Sequence, residues 1–229
     1  MHSATARFGD TTVRWLHGGL LLRYRGDAFV LDAPPAVAAA IGDELPHVRG
    51  IVLTGGRIRT VGGLVELLCA LAPHRAGVAM DLQAPLGDER GPALAETWVR
   101  GWGAPFPLSI DAARPGSRVE LGPVAITMVP IRAGEPDWAN DGIRARVAVA
   151  LRVETPDACI AWVPGAAPSA AVRRACDGAD LAVVEVGVEP WPRSERPWRL
   201  SMQDALRAGE GAGDLWVVGD DGSWPGADG

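Results

Sequence analysis

The chain has 229 residues, of which 48% are hydrophobic and 22% are charged, so it can bury one sizeable core. Its formal net charge of −6 gives no support to general nucleic-acid binding, which normally needs a basic surface. It has no lysine, which excludes chemistry on a lysine amine. The N-terminus lacks the apolar run of a signal peptide, and no segment reaches the ~18 apolar residues of a membrane span. We therefore expect a soluble, cytoplasmic protein with no membrane partner.

Short apolar runs, turn residues and helical segments alternate through the first half. Arg25-Gly26-Asp27 separates two apolar runs and predicts a hairpin. Pro34-Pro35 ends the second run, and an alanine-rich helix follows. The predicted elements are strands 20–24 and 28–32, helix 36–45, strand 50–54, helix 61–71, strand 76–81 and helix 93–101.

The second half is rich in hairpins at first and then returns to strand, helix and strand. Its predicted elements are strands 118–121 and 124–131, a long strand 144–154, strand 159–163, helix 169–176, strand 180–186, helix 201–208 and strand 215–218. Residues 132–142 and 188–200 are predicted as irregular loops, and 219–229 as a flexible acidic tail. Two mixed sheets packed face to face, with helices outside, satisfy both halves in a single domain of residues 1–229. The predicted α/β fold is an αββα sandwich.

The most informative motif follows the strand at 50–54. The apolar run that starts at Ile51 ends at Thr54 before two glycines, which is typical of a buried strand entering a tight turn. Val61-Gly-Gly-Leu64 then opens an apolar helix. This frame resembles the metal-binding segment of the metallo-β-lactamase fold superfamily, which is strand, Thr, His-x-His-x-Asp-His, a short apolar step and Gly-Gly-Leu.

Four residues of this chain stand where the superfamily has its metal ligands: Gly55, Arg57, Arg59 and Thr60. Glycine has no side chain and arginine is a permanent cation, so neither holds zinc or iron in the usual way. The resemblance therefore implies a degenerate member, and we predict no metal, no cofactor and no catalytic residue.

Other segments extend the resemblance over most of the chain. The strand that ends at Asp32 is similar to the one that precedes the superfamily's metal motif. Residues 160–185 resemble a ribonuclease Z-like segment that ends in an acid, here Glu185. Val163-Pro-Gly165 lacks that segment's bridging aspartate and looks closer to the branch of pyrroloquinoline quinone biosynthesis protein B. Arg199 stands where a histidine is usual, and the last strand ends in Gly219-Asp220 instead of histidine.

The resemblance implies that these strand ends meet at one rim. The residues of this predicted rim are Asp32, Gly55, Arg57, Arg59, Thr60, Gly165, Glu185, Arg199 and Asp220. One interpretation is that its arginines pair with its carboxylates and fill a disused site. The other is an anion pocket, in which Arg57 and Arg59 follow a glycine turn whose N–H groups suit phosphate or carboxylate. The sequence leaves both open.

The sequence contains no other recognisable set of catalytic or metal-binding residues. No two of the four histidines have the spacing of a zinc site. Ser169 and Ser201 are predicted as helix N-caps rather than nucleophiles. The three cysteines are predicted to be buried structural thiols, since their number is odd and they form no CxxC pair.

The nine tryptophans fall into groups. Those in strands are predicted to be core: Trp15, Trp162 and Trp216. Trp98 and Trp102 lie four apart in a helix and are predicted to share a buried face. Three others lie among prolines and arginines in the two irregular loops: Trp138, Trp191 and Trp198. They suit either a cover over the rim or a protein interface.

The function we predict is that of a pseudoenzyme that has kept the fold and acts by binding a protein partner, either an active relative or a second copy of itself. One alternative is an enzyme of a pyrroloquinoline quinone-like cofactor or peptide-modification pathway, with unusual metal ligands or none. The other is a regulator that binds an anion or nucleotide through Arg57, Arg59 and Arg199.

Overall fold

The computed structural model describes residues 4–137, 142–187 and 198–221. Contacts between Cα atoms divide the chain into two compact units, Met1–Arg114 and Pro115–Gly229. Each unit contains one mixed sheet with its own helices, so the predicted α/β class with two mixed sheets is confirmed. The single-domain interpretation stays a prediction.

The first unit is built on a seven-stranded sheet in the order β1-β2-β3-β4-β5-β6-β7. Its strands are β1 (Thr5–Phe8), β2 (Thr11–Trp15), β3 (Leu20–Tyr24), β4 (Asp27–Leu31), β5 (Val48–Val52), β6 (Met80–Pro85) and β7 (Leu108–Ala113). Its α-helices are α1 (Val37–Ile41), α2 (Ile58–Val61), α3 (Leu64–Leu71) and α4 (Arg90–Trp102). Strands β1 to β4 pair antiparallel, whereas β4 to β7 pair parallel.

Helix α3 belongs to the core of the first unit through one apolar face. Leu64, Leu67, Leu68 and Leu71 are all fully buried. Their spacing of three and four residues places them on one side of the helix. They belong to the same apolar cluster as Ile51 of the central strand β5. The start of α3, and the glycine loop before it, are therefore anchored to the sheet.

The second unit has a six-stranded sheet in the order β15-β14-β13-β12-β9-β8, and a separate two-stranded sheet of β10 and β11. The strands are β8 (Arg118–Leu121), β9 (Val124–Pro130), β10 (Ala133–Asp137), β11 (Gly142–Arg146), β12 (Val149–Glu154), β13 (Cys159–Val163), β14 (Leu181–Val186) and β15 (Asp214–Gly219). Two helices are present in its described part, α5 (Ala170–Cys176) and α6 (Met202–Gly209). Strands β13, β14 and β15 pair parallel, and the other neighbours pair antiparallel.

Both helices of the second unit begin at the predicted serine caps. The Ser169 hydroxyl accepts a hydrogen bond from the Val172 amide. Ser201 forms a capping box with Asp204, in which each side chain accepts from the other residue's backbone amide. Each bond satisfies a donor that the first helical turn leaves without an intrahelical partner. The N-cap predictions are therefore confirmed.

The prediction of an irregular loop at 132–142 was wrong for residues 133–137 and for Gly142, which lie in strands, and residues 138–141 lie outside the described part of the chain. β10 and β11 form an antiparallel hairpin in which Ala133 pairs with Arg146. The long strand predicted at 144–154 is consequently two strands, because the chain pairs with β10 before Val147 and with β9 from Val149 onward. A change of pairing partner leaves no mark in an apolar pattern of period two.

Several predicted boundaries shift for local reasons. The helix predicted at 36–45 ends at Ile41, because Gly42 has a φ of 58°, and a 3-10 helix Gly42–His47 follows. The strand predicted at 76–81 starts instead at Met80, after a turn in which Gly77 has a φ of 74°. Left-handed glycines interrupt regular structure at both places. Strands β1 and β7 were missed, and β2 was indicated only by the placement of Trp15 in a strand.

The predictions for the tryptophans were confirmed for the strand residues and were wrong for one helix residue. Trp15, Trp162 and Trp216 are buried, as predicted. Trp98 is 2% exposed but Trp102 is 68% exposed, so their predicted shared buried face was wrong. Positions four apart on a helix differ by about 40° around its axis, and Trp102 is the last residue of α4, next to the turn at Gly103.

Of the three cysteines, Cys176 is buried, Cys159 is half-buried and Cys69 is exposed, so the expectation of three buried thiols was wrong for Cys69. Its Sγ accepts a hydrogen bond of 3.2 Å from the Trp98 indole.

No helix of the described residues is long and apolar enough to cross a membrane. Strand β15 continues through Gly219, and the Asp220 amide donates to the Val186 carbonyl at 2.7 Å. The remainder of the predicted tail, residues 222–229, lies outside the described residues.

Candidate functional site

Asp32 is the anchor of the candidate site in the first unit. It follows β4, is completely buried, and has a φ of 64° in the left-handed region. The Thr54 amide donates to its Oδ1 at 2.8 Å, and the Thr54 hydroxyl lies 2.8 Å from its Oδ2. Aspartate tolerates this backbone conformation better than most residues, and a carboxylate can accept both bonds. Asp32 therefore ties the end of β4 to the end of β5.

The turn after Thr54 is closed by Thr60, which is buried. Its hydroxyl donates to the carbonyl oxygen of Gly55 and lies 2.9 Å from that of Arg57. The Ala33 amide also donates to the Thr60 carbonyl at 2.7 Å, which joins the turn to the Asp32 segment. The hydroxyl, the carbonyl and the amide of Thr60, which donates to the Arg57 carbonyl at 2.9 Å, thus all bond to the backbone.

Gly56 in the same turn lies against Asp88, in the connection between β6 and α4. A Cβ built at Gly56 would lie 2.4 Å from Asp88 Oδ1 and 2.7 Å from the Arg90 Cβ, so only glycine fits without a shift. Sequence reasoning missed Asp88 and Arg90, since they are more than thirty residues from the turn. Thr54 was also missed as a partner of Asp32, although a polar residue at the end of a buried strand was a usable signal.

The arginines of the turn lie on helix α2 and at its N-cap. Arg57 and Arg59 are half-buried, and Ile58 between them is 73% exposed. Arg59 makes no side-chain hydrogen bond or ion pair with any residue that the structure describes. Ile58 borders an open, mainly apolar hollow of about 500 Å³, whose wall includes Val61, Ala93 and Leu94 and also the polar residues Arg90 and Thr97. The turn therefore presents an apolar side chain flanked by cations.

The predicted rim residues of the second unit form one clear ion pair. Arg199 Nη1 donates to Asp220 Oδ2 at 2.8 Å, and both side chains are largely buried. Such an arginine–carboxylate pair is what we expect if the arginines of the rim fill a disused site. Gly165 and Glu185 are buried, and Glu185 lies in β14 beside Val218 of β15. The meeting of the rim residues from the two units at one site stays a prediction.

Of the three tryptophans predicted to suit an interface, only Trp198 lies within the described residues. Trp138 and Trp191 lie outside the described residues. Trp198 is half-buried, and the Arg132 guanidinium lies 5.4 Å from the centre of its ring. That distance is typical of a cation–π contact. Trp198 thus packs against a residue of its own unit.

The two cysteines of the second unit are unsuited to nucleophilic attack. Burial raises the pKa of the Cys176 thiol to about 11. Burial also raises the pKa of Cys159, and the nearby Arg152 only partly offsets this effect. Because the thiolate is the reactive form, both side chains stay protonated near neutral pH.

A family model described as "Beta-lactamase superfamily domain" matches residues 27–216. The chain belongs to this superfamily.

Solved structures with the metallo-β-lactamase fold agree with this assignment. PqqB from Methylobacterium extorquens in its zinc-bound form is 15% identical, with a TM-score of 0.71 over 90% of this chain and 77% of that one. YhfI from Bacillus subtilis is 14% identical, with a TM-score of 0.67 over 87% of this chain and 77% of that one. The short form of human tRNase Z is 12% identical, with a TM-score of 0.67 over 87% of this chain and 83% of that one. At these identities the likeness shows the fold alone. A comparison with curated protein sequences gave no significant match.

Zinc binding by a superfamily relative raises the question of whether this chain's residues fit a metal. They do not fit one in the first unit: the Asp32 carboxylate accepts from Thr54, the Thr60 hydroxyl bonds to backbone, and the other loop positions are glycine and arginine. Among the described residues, no group of three or more His, Cys, Asp or Glu side chains has the arrangement of a metal site. We therefore derive no chemistry through a metal.

Proposed function

We propose that this superfamily member acts by binding a second copy of its own chain, and not by metal-dependent hydrolysis. The observation that carries the proposal is the exposed Ile58, which lies between Arg57 and Arg59 in the loop that resembles the superfamily's metal-binding segment. An isoleucine that is 73% exposed leaves most of its apolar surface in water unless something covers it.

The surface around Ile58 is suited to pairing with itself. Ile58 projects beside the apolar hollow that includes Val61, Ala93 and Leu94, and Leu94 is itself 38% exposed. In a two-fold symmetric dimer the same patch faces its own copy, so Ile58 of each chain can enter the hollow of the other. The patch therefore contains both parts that such a symmetric contact needs, a projecting isoleucine and a hollow that can receive it.

Replacing Ile58 by glutamate tests the surface. We expect the wild-type chain to dimerise in sedimentation-velocity experiments over a range of concentrations. I58E should raise the dissociation constant by about 100-fold, because each of the two symmetric contacts loses a buried isoleucine, worth about 1.5 to 3 kcal/mol, and Arg90 beside the hollow offsets this loss only in part. Trp102→Glu is the matched control, since it changes an equally exposed side chain at the far end of α4, and it should leave dimerisation unchanged.

A wild-type chain that stays monomeric at every concentration would contradict the dimer. Equal weakening by I58E and W102E would assign the contact to another part of the surface. A monomer that forms a defined complex with an active relative would also reject self-association, although binding through the same patch would then explain the exposed isoleucine.

Metal content tests the other half of the proposal. After incubation with zinc, manganese or ferrous iron and desalting, we expect less than about 0.1 ion per chain by mass spectrometry. Neither zinc nor a chelator should move the melting temperature, because a ligand that binds the folded state would raise it. One or more tightly held ions per chain, lost on replacing Asp32 or Asp220, would overturn the proposal.

The other two functions stay predictions. An enzyme of a pyrroloquinoline quinone-like pathway would turn over a quinone precursor. A regulator would lose anion binding in the Arg57→Ala, Arg59→Ala double variant.

A further inference from the structure

A second recess in the first unit extends the apolar surface around Ile58. It is a cleft of about 570 Å³ between the β2–β3 turn and helix α1, and its lining includes Leu16, Pro35 and Ala39. A Cβ built at Gly62 would lie 3.1 Å from Ile58 Cδ1 and 3.2 Å from Pro35 Cγ, so these two side chains are neighbours. The apolar surface therefore continues from Ile58 into this recess, which we call the α1 cleft.

Self-association through Ile58 needs a larger contact than one side chain provides. A specific protein interface commonly buries about 800 Å² on each partner, which corresponds to about 20 to 30 residues. Further surface must therefore be buried on both sides of Ile58. The α1 cleft is the adjoining apolar surface on one of these sides.

The sheet order gives the order of projections and recesses along this edge. Strands β4, β5 and β6 are parallel neighbours, so the segments that follow them leave the same edge of the sheet. The α1 cleft adjoins the segment after β4, Ile58 follows β5, and Leu86 follows β6. The Leu86 amide donates to the Ala113 carbonyl of β7 at 2.7 Å, which places Leu86 on the side of β6 away from β5. The order is therefore α1 cleft, Ile58, hollow and Leu86.

This order is complementary to its own reverse. Ile58 is 73% exposed and Leu86 is 49% exposed, so two projecting apolar side chains alternate with two recesses. A two-fold axis between Ile58 and the hollow reverses the order on the second copy. Ile58 then faces the hollow of the second copy, and Leu86 faces the α1 cleft of the second copy.

The charges at the two ends of this series are also complementary. Glu89 lies three residues after Leu86, is exposed, and makes no side-chain hydrogen bond or ion pair with any residue that the structure describes. The lining of the α1 cleft contains Arg14 and His17 and, among the described residues, no carboxylate. Opposite charges that face each other across an interface steer association and fix its register.

We propose that the α1 cleft is the outer half of the interface between two copies of this chain, where it receives Leu86 of the second copy. Glu89 then lies beside Arg14 and His17. This inference rests on the self-association proposed above, and it identifies a second contact and the register of the two chains.

Introducing opposite charges at the two positions tests the contact by sedimentation velocity. Ala39→Glu places a carboxylate on the exposed face of α1, and Leu86→Arg places a guanidinium on the side chain that enters the cleft. Each variant should raise the dissociation constant by about tenfold, because each sets a charge against an apolar surface at both symmetric contacts. The double variant A39E/L86R should return to within about threefold of the wild type, since the two new side chains can pair across the interface.

Ala170→Glu is the matched control for A39E. Ala170 is an exposed alanine of helix α5 in the second unit, outside the proposed interface. A170E alone should leave the dissociation constant unchanged, and A170E/L86R should stay as weak as L86R. Urea unfolding checks that every variant keeps the wild-type stability.

The results separate this contact from the function on which it rests. If I58E weakens the dimer but A39E or L86R does not, the contact is wrong and self-association through Ile58 stands. A double variant weakened by about 100-fold, or rescue by A170E as well as by A39E, would also overturn the contact. A wild-type chain that stays monomeric at every concentration would overturn both proposals.

Discussion

Replacing Gly63 by alanine is expected to destabilise the protein by about 3 kcal/mol. A Cβ at this position would lie 2.1 Å from the Pro34 carbonyl oxygen and 2.9 Å from its carbon. These are backbone atoms, so relief requires α3 or the segment after β4 to move. That movement would also strain the hydrogen bond of 2.8 Å from the Gly63 amide to the Ala33 carbonyl. Urea unfolding followed by circular dichroism measures the loss.

Gly101→Ala is the matched control for this change. Gly101 lies in α4, and no heavy atom lies within 4 Å of a Cβ built there. Alanine should stabilise the helix by up to about 1 kcal/mol, since it has less conformational entropy to lose on folding. A G63A chain that unfolds at the same urea concentration as the wild type would show that the close approach to Pro34 is not maintained in solution.

Replacing Asp32 by alanine should cost about 3 kcal/mol, the second large effect. The Thr54 amide and hydroxyl would lose their buried acceptor, and each unsatisfied donor carries a desolvation penalty. Alanine also tolerates the φ of 64° less well than aspartate does. In a chain of this size the melting temperature should fall by about 6 to 12 °C.

Asp32→Asn separates these contributions. Asparagine tolerates the left-handed region and keeps one oxygen as an acceptor, so D32N should lose less stability than D32A. Thr54→Val removes the hydroxyl but keeps the amide, and it should fall between D32N and D32A. If D32A instead kept its stability and lost a bound ion, the carboxylate would be a metal ligand and not a structural anchor.

Both predictions concern one set of contacts. The segment after β4 bonds to Thr54 through Asp32, to Thr60 through the Ala33 amide, and to Gly63 through the Ala33 carbonyl. Both glycines before α3 are required for this close packing, since a Cβ at Gly62 would lie 2.4 Å from the Ile58 carbonyl oxygen and one at Gly63 would lie 2.1 Å from that of Pro34. This gives a physical reason for the frame of Val61-Gly-Gly-Leu64 to accompany a loop without histidine.

Some elements could be read from the sequence because their signals are local. The apolar face of α3 repeats every three to four residues, and the serine caps of α5 and α6 immediately precede their helices. The hairpin of β10 and β11 escaped prediction because its pairing depends on which strand is the neighbour. Trp102 was wrongly predicted to be buried, because helical spacing shows which residues share a face but not how far along the helix that face is covered.

The mixed α/β class, the superfamily and the residue types of the glycine loop can all be read from the amino-acid sequence, since they depend on local periodicity and on the order of motifs. The contacts that those residues make depend on how the chain folds. Asp32 bonds to Thr54, 22 residues away, and Asp88 lies against Gly56, because strands β4, β5 and β6 are neighbours in one sheet. The exposure of Ile58 likewise depends on the packing around it, which is why the sequence identified an altered loop but not the apolar surface that the loop presents.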